Sequence, residues 1–282
     1  MNVTTPARVR KVVAFHSYKG GTGKTTFVAN IGALYAEMGL RVCLLDFDLY
    51  APSLSTYFQI TPKFYLNDFL KGEADISDAI VDVSSKLGVK GQLLLGLSSP
   101  SSDDIHEIEF KDINWHVSAL RRFWREGKGK LFSEYDLDYI FIDTTPGVKY
   151  WSINAILVSD ALFLLLKISD MDIEGTKKMI KDTYEDLQRF GSQFYLILNK
   201  VPGAIPNQKS AFVDYEKSWE VELEHEIGTP VIGSVPCFCD IQFSRHEFLY
   251  TIKQPEHPFS QKLLDLAVKI QEVTRGTEYG DS

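Results

Sequence analysis

A chain of 282 residues with 44% apolar and 24% charged side chains can bury one sizeable core, and that balance excludes a largely disordered protein. The formal net charge of -8 excludes a protein that coats nucleic acid through bulk charge, so any such contact needs a local basic patch. Cys43, Cys237 and Cys239 are too few for a disulfide framework and fit a reducing cytosol.

Met1 to Lys11 holds no apolar core of a signal peptide. The longest apolar stretch, Ala155 to Ile168, is broken by Ser159 and Asp160, short of the roughly 18 to 20 residues a spanning helix needs. The expectation is a cytoplasmic protein with no transmembrane segment.

In chain order, the pattern predicts a strand at Val12–Ser17 and a helix over Lys24–Met38. Phe27, Ile31, Leu34 and Met38 form one stripe of that helix, and Gly39 can close it. Strands follow at Val42–Asp46, Gln92–Leu97, Tyr139–Asp143 and Ala161–Leu166. A helix over Ile173–Phe190 ends at Gly191, and Phe194–Asn199 reads as a strand. A helix over Asn207–Ile227 ends at Gly228, Val231–Val235 is the last strand, and Phe259–Val273 the last helix. The strand runs are nearly continuous in apolar residues, as in a sheet covered on both faces. Alternating strands and helices imply an α/β fold: a single doubly wound, mostly parallel sheet flanked by helices. No linker divides it, so residues 1–282 read as one domain with a core of about 12–273 and frayed ends, the tail starting near Thr274.

The first strand runs into Ser17-Tyr18-Lys19-Gly20-Gly21-Thr22-Gly23-Lys24-Thr25-Thr26. A phosphate loop of the form Gly-x-x-x-x-Gly-Lys-[Ser/Thr] must follow a strand and open a helix, and this one does both. The first glycine of that pattern is missing, since Ser17 stands near its place. The physics is met: Gly20, Gly21 and Gly23 let successive N–H groups curl inward as an anion nest. The helix N-terminus adds partial positive charge, Lys24 can reach β- and γ-phosphates, and the Thr25 hydroxyl can ligate Mg²⁺. The bland alternative, a glycine-rich turn with an incidental lysine, does not account for the strand-loop-helix context.

Lys19 is a second lysine inside the loop. Lys19 to Thr26, KGGTGKTT, resembles the deviant Walker A motif of the MinD/ParA family of P-loop ATPases. The resemblance runs from about Val12 to Val273 by motif order. It implies ATP and Mg²⁺ as ligands, slow hydrolysis stimulated by a protein partner, and an ATP-dependent homodimer. In that family the residue matching Lys19 reaches the nucleotide of the partner subunit.

Asp46 and Asp48 end the second strand, at the sheet edge where open α/β folds bind ligands. By the resemblance Asp48 orients the attacking water and Asp46 supports the magnesium shell; the plain alternative is that one of them caps the next helix near Pro52. Tyr139 to Asp143 is an apolar strand ending in a carboxylate, followed by Thr144-Thr145-Pro146-Gly147, and matches the family's Asp-x-x-Pro-Gly form. That match has Asp143 hold Mg²⁺ through water and the Gly147 N–H meet the γ-phosphate. It also has Asn199 hydrogen-bond adenine, with backbone around Pro236, Cys237 and Phe238 closing the base site.

Three features bear on the biological role. Asp48 to Ser53 resembles the Mrp branch of iron–sulfur carriers, and Cys237-Phe238-Cys239 is a Cys-x-Cys pair. That branch, however, carries Cys-x-x-Cys ahead of the base-site strand, so two merely packed cysteines are the simpler reading. Ala119 to Lys130 is a strong basic cluster with Phe123 and Trp124 interleaved. It reads first as a solvated helix face with both aromatics turned inward, and second as a dock for nucleic acid, an anionic membrane or an acidic partner. The polar, acidic end after Val273 predicts no MinD-like membrane-targeting tail. His106, His116, His225 and His246 show no metal-ligand spacing. The function expected is an ATP-driven switch in the partitioning or positioning of a cellular assembly. The alternative is an Mrp-like iron–sulfur or metal carrier using Cys237 and Cys239.

Overall fold

The computed structural model describes residues 9–184, 192–202 and 211–275. Eight strands form one sheet: β1 (Lys11–His16), β2 (Arg41–Phe47), β3 (Ile80–Asp82), β4 (Gln92–Gly96), β5 (Tyr139–Thr144), β6 (Ala161–Leu166), β7 (Gln193–Val201) and β8 (Val231–Pro236). Their spatial order is β3-β4-β2-β5-β1-β6-β7-β8. All pairings are parallel except β3 against β4. The doubly wound sheet expected from the continuous apolar runs is therefore present, with β1 and the loop that follows it at its centre.

The reason for those runs is visible in the packing. Val13 and Phe15 of β1 face a layer with Phe27, Phe141 and Phe163, while Val12 and Ala14 face the opposite layer with Ile140, Ile142 and Leu164. Both faces are covered by helices, so a polar side chain on these strands needs a buried partner, and most positions are apolar. β3 was not expected. Its three residues are only partly buried and sit at the sheet edge, so neither length nor alternation marks them.

The helix Lys24–Glu37 follows the loop, and Gly39 closes it at φ +92° as expected. The helix predicted from Ile173 starts earlier, at Asp170, because the Ser169 hydroxyl caps it by accepting from the Asp172 N–H. It runs to Met179 and continues as a π-helical turn over Ile180–Tyr184; its predicted end at Phe190 and Gly191 lies outside the described residues. The helix predicted from Asn207 is described over Ala211–Ile227, and Gly228 at φ +73° ends it. The last helix is Pro258–Arg275. Between β4 and β5 the chain forms helices Ser102–Glu109 and Ile113–Arg122, a π-helical stretch Phe123–Lys128, and helix Gly129–Tyr135. There the expectation for the two aromatics is half corrected: Phe123 is buried, but Trp124 is 51% exposed. No described helix is long and apolar enough to cross a membrane.

One buried amide ties the C-terminal part to the centre. Asn30 Nδ2 donates to the Thr26 and Phe248 carbonyls, and Asn30 Oδ1 accepts from the Thr251 N–H at 3.2 Å. Replacing it by alanine strands two backbone groups away from water. Asn30→Ala is expected to lower unfolding stability by about 1–3 kcal/mol, checked by urea titration against the parent chain.

Candidate active site

The parallel register brings the chemistry together. Asp46 on β2 lies opposite Asp143 on β5, and Asp143 lies opposite Phe15 on β1. The loop after β1, the Asp46–Asp48 turn and the Asp143 strand end thus share one edge of three adjacent strands.

The loop has the curvature its glycines permit. Gly21 and Gly23 sit at φ +77° and +86°, and a Cβ at Gly23 would lie 2.7 Å from Asn199 Nδ2. Position 23 therefore needs glycine for both conformation and space. Ser17 Oγ donates to the Lys19 carbonyl at 2.8 Å, which steadies the loop's first turn. The end of β7 braces it from the far side. Asn199 Nδ2 donates to the Thr22 carbonyl at 2.7 Å, and Lys200 Nζ to the Gly21 carbonyl at 3.1 Å. Lys200 holds φ +56° to do so. Lys19 lies half-buried on the loop between Tyr18 and the exposed Gly20.

Lys24 Nζ lies 2.5 Å from Asp143 Oδ1, with the two side chains 6% and 1% exposed. Asp143 Oδ2 is buried and has no hydrogen-bond partner among the described residues. Asp46 accepts the Asp48 N–H on Oδ1 and the Leu54 N–H on Oδ2, both at 3.1 Å. Leu54 opens a helix, so Asp46 Oδ2 takes up one of its N-terminal N–H groups. Both Asp46 oxygens thus hold the turn that presents Asp48. Burial, reinforced by the Asp143 charge, pushes the Asp46 carboxyl well up. Burial also raises Asp48, against the pull of Lys24, and Asp48 Oδ1 accepts the Ala51 N–H at 3.2 Å.

One lysine thus faces three buried carboxylates, a local excess of negative charge that a cation would relieve. Among the described residues no three His, Cys, Asp or Glu side chains converge as a ready metal cage. Magnesium, which keeps waters and takes few protein ligands, fits this better than a metal that needs a full cage. Asp143, with its unpartnered oxygen, and the Thr25 hydroxyl are the groups that would hold it. The Thr25 hydroxyl accepts from Ser53 Oγ at 3.4 Å, and Thr26 Oγ1 pairs with Tyr57 OH at 2.7 Å.

Beside the loop lies a cleft of about 180 Å³, walled by Thr26, Phe27, Asn199, Pro236, Cys237 and Phe238 and closed at its mouth by Glu247. The expected base-site residues are therefore together. Cys237 is half-buried, its N–H donating to the Val201 carbonyl at 2.8 Å, and Cys239 is exposed.

A family model described as "AAA domain" matches residues 10–193. The chain belongs to the AAA domain family. Within it, the MinD/ParA kinship read from Lys19 to Thr26 stands. An uncharacterized ATP-binding protein of Methanocaldococcus jannaschii is 32% identical over 142 residues, 49% of this chain and only 46% of that relative's length. The chromosome partitioning protein ParA of Caulobacter vibrioides is 30% identical over 176 residues, 61% of each chain. The iron-sulfur cluster carrier protein of Aquifex aeolicus is 25% identical over 279 residues, covering 94% of this chain and 68% of the carrier. The septum site-determining protein MinD complexed with Mg-ADP, from Pyrococcus horikoshii, shares the fold at TM-score 0.69 and 20% identity, over 95% of this chain and 98% of that one.

Two details of this AAA domain site differ from expectation. The Gly147 N–H, expected to face a γ-phosphate, donates to the Ser17 carbonyl at 2.9 Å, so a phosphate contact requires that turn to swing. His16, which carries no sequence signal, is fully buried at the end of β1. Thr144 Oγ1 donates to the Phe15 carbonyl at 2.8 Å, so its contact with His16 Nδ1 at 2.6 Å receives that ring's proton. Burial and the Lys24 charge lower His16 to about 3.

The unfolded chain protonates this histidine near its ordinary pKa of about 6.5 while the folded chain does not. His16 therefore costs stability as pH falls from about 6.5 toward 3. The raised Asp46 and Asp48 act in the opposite sense, gaining protons first in the folded state. His16→Asn keeps a donor toward Thr144 and removes the titration. The difference in unfolding free energy between the two proteins is expected to move in the variant's favour with each step of acidification below pH 6.5, read from urea midpoints.

Proposed function

We propose that this AAA domain protein is an ATP-binding and ATP-hydrolysing switch of MinD/ParA type. It works in the cytoplasm as an ATP-dependent dimer that positions or partitions a cellular assembly, with hydrolysis accelerated by a protein partner. The observation that carries the reading is the buried Lys24–Asp143 pair, with Asp48 beside it, under a loop of inward-curled glycines.

The resting geometry suggests an exchange. A triphosphate offers Lys24 more negative charge than Asp143 does, so its ammonium moves to the phosphates while the N–H groups of Gly20 to Thr26 cradle them. Asp143, left without its lysine, and the Thr25 hydroxyl are the groups that would hold Mg²⁺, which when bound would neutralise phosphate charge. Asp48, presented by the Asp46 clasp, orients the attacking water, and Gly147 exchanges the Ser17 carbonyl for the γ-phosphate. Because Asn199 Nδ2 is taken by Thr22, its Oδ1 remains as an acceptor for the exocyclic amino group of adenine, a group the corresponding edge of guanine lacks. Lys19 reaches the nucleotide of a second subunit.

Lys24→Ala is expected to weaken ATP binding by about two orders of magnitude, the scale of a lost buried charge partner. Asp48→Ala is expected to bind ATP, hydrolyse it about 10²–10⁴-fold more slowly and accumulate as a dimer. Lys19→Ala is expected to bind ATP yet elute as a monomer. Isothermal titration, phosphate release and light scattering on a sizing column read these. A monomeric Asp48→Ala protein in saturating ATP rejects the dimer.

A second reading, an iron–sulfur or metal carrier, is favoured by one pairing of facts: Cys237 lines the cleft half-buried with the exposed Cys239 two residues on, and the likeness to the Aquifex aeolicus carrier runs along 94% of the chain. Two such pairs across a dimer would supply four thiolates. Anaerobic reconstitution with iron and sulfide decides it. A colourless, iron-free protein, or colour retained after Cys237→Ser with Cys239→Ser, removes this reading.

A further inference from the structure

We propose that the groove between the helix Tyr150–Leu157 and the helix Ile113–Arg122, with its π-helical continuation, is a docking site for an acidic peptide segment carrying an apolar anchor residue. The proposal stands independently of the nucleotide reading.

The groove is lined by Leu120, Arg121, Trp124, Arg125, Leu157 and Val158: four apolar side chains, two guanidinium groups and no carboxylate. Trp124 is 51% and Leu157 38% exposed; Ile113, Val117 and Tyr150 on the same helices are also exposed, while Phe123, Trp151 and Ile156 turn inward. Along this turn Phe123 and Gly127 lie inside, while Trp124 and Arg125 lie outside. A Cβ at Gly127 would approach the Phe69 ring to 3.2 Å, so the inward side of the turn is filled and the outward set cannot rotate in.

The Trp124 ring is held for contact. Lys128 Nζ lies 4.8 Å from its centroid and donates to the Val158 carbonyl at 3.4 Å, closing one end of the groove with a third cation. Opposite it, Asn154 Nδ2 donates to the His116 carbonyl, and the His116 ring stacks on Tyr150 at 5.2 Å, so the two helices are locked together and the groove floor is rigid.

Charge selects the occupant. The chain carries -8 overall, yet this groove is cationic on an apolar floor. Arginine beside an exposed tryptophan is the composition of an interface anchor, and carboxylates on the incoming segment would pair with the two forks while an apolar side chain covers the ring. A duplex phosphate backbone needs a longer cationic track than Arg121, Arg125 and Lys128 supply.

The test is a random-peptide display library selected on the full chain, followed by anisotropy titration of a synthesised, labelled winner. Enriched sequences are expected to join Asp or Glu to Leu, Phe or Trp. The winner's Kd is expected to rise about tenfold or more in Arg121→Glu with Arg125→Glu and in Trp124→Ala, and to stay within a few-fold in Arg121→Lys with Arg125→Lys. Circular dichroism melts confirm that each variant is folded. These positions are exposed, and Trp124→Ala gives an independent second variant. No enrichment, winners without acidic residues, or equal affinity for the charge-reversed variant overturns the proposal. Charge reversal that abolishes binding of double-stranded DNA or of phosphatidylglycerol vesicles while leaving peptide binding intact also overturns it.

Discussion

The ion pair between Lys24 and Asp143 is the contact on which the site depends. A buried ammonium without a partner would lose its proton or unfold its surroundings, and a buried carboxylate would do the reverse. Pairing them fastens the first turn of the helix Lys24–Glu37 to the end of β5. It also leaves Asp143 Oδ2 without a partner among the described residues, beside Asp46 and Asp48, whose ionised forms burial disfavours. A site in that condition is poised for cationic magnesium and for phosphates that draw the lysine away.

The rest of the architecture holds this pair in place. β1, β5 and β2 are neighbours, so the loop, Asp143 and the Asp46–Asp48 turn are set at one level by backbone hydrogen bonds. Asp46 clasps the turn, Asn199 and Lys200 brace the loop from β7, and Asn30 fastens the C-terminal segment to the loop's helix. Each brace uses a side chain whose partner is a backbone group, so position is fixed without a further ion pair at the lysine.

Away from the site, the region between β4 and β5 serves a different end. It packs Phe123 against Phe47, next to Trp151 from the helix after β5, and exposes Trp124 between arginines on its outer side. The same short helices thus support the turn from within and present a charged, apolar surface outward.

Much was legible in the amino-acid order. Continuous apolar runs can only be strands covered on both faces, and Gly20, Gly21, Gly23, Lys24 and Thr25 have a local meaning that needs no distant residue. The seven parallel strands and the loop were therefore readable, whereas the grouping of Asn199 with Pro236 and Cys237 came only from the family resemblance. The edge strand Ile80–Asp82 was not, since three residues carry no period. Nor was the outward turn of Trp124 in the π-helical stretch Phe123–Lys128. Tertiary structure alone decided that Gly147 gives its N–H to Ser17 and that His16 is buried beside Lys24. Those facts depend on which strand ends meet across the sheet, and a hydrogen bond between residues more than a hundred positions apart leaves no trace in local order.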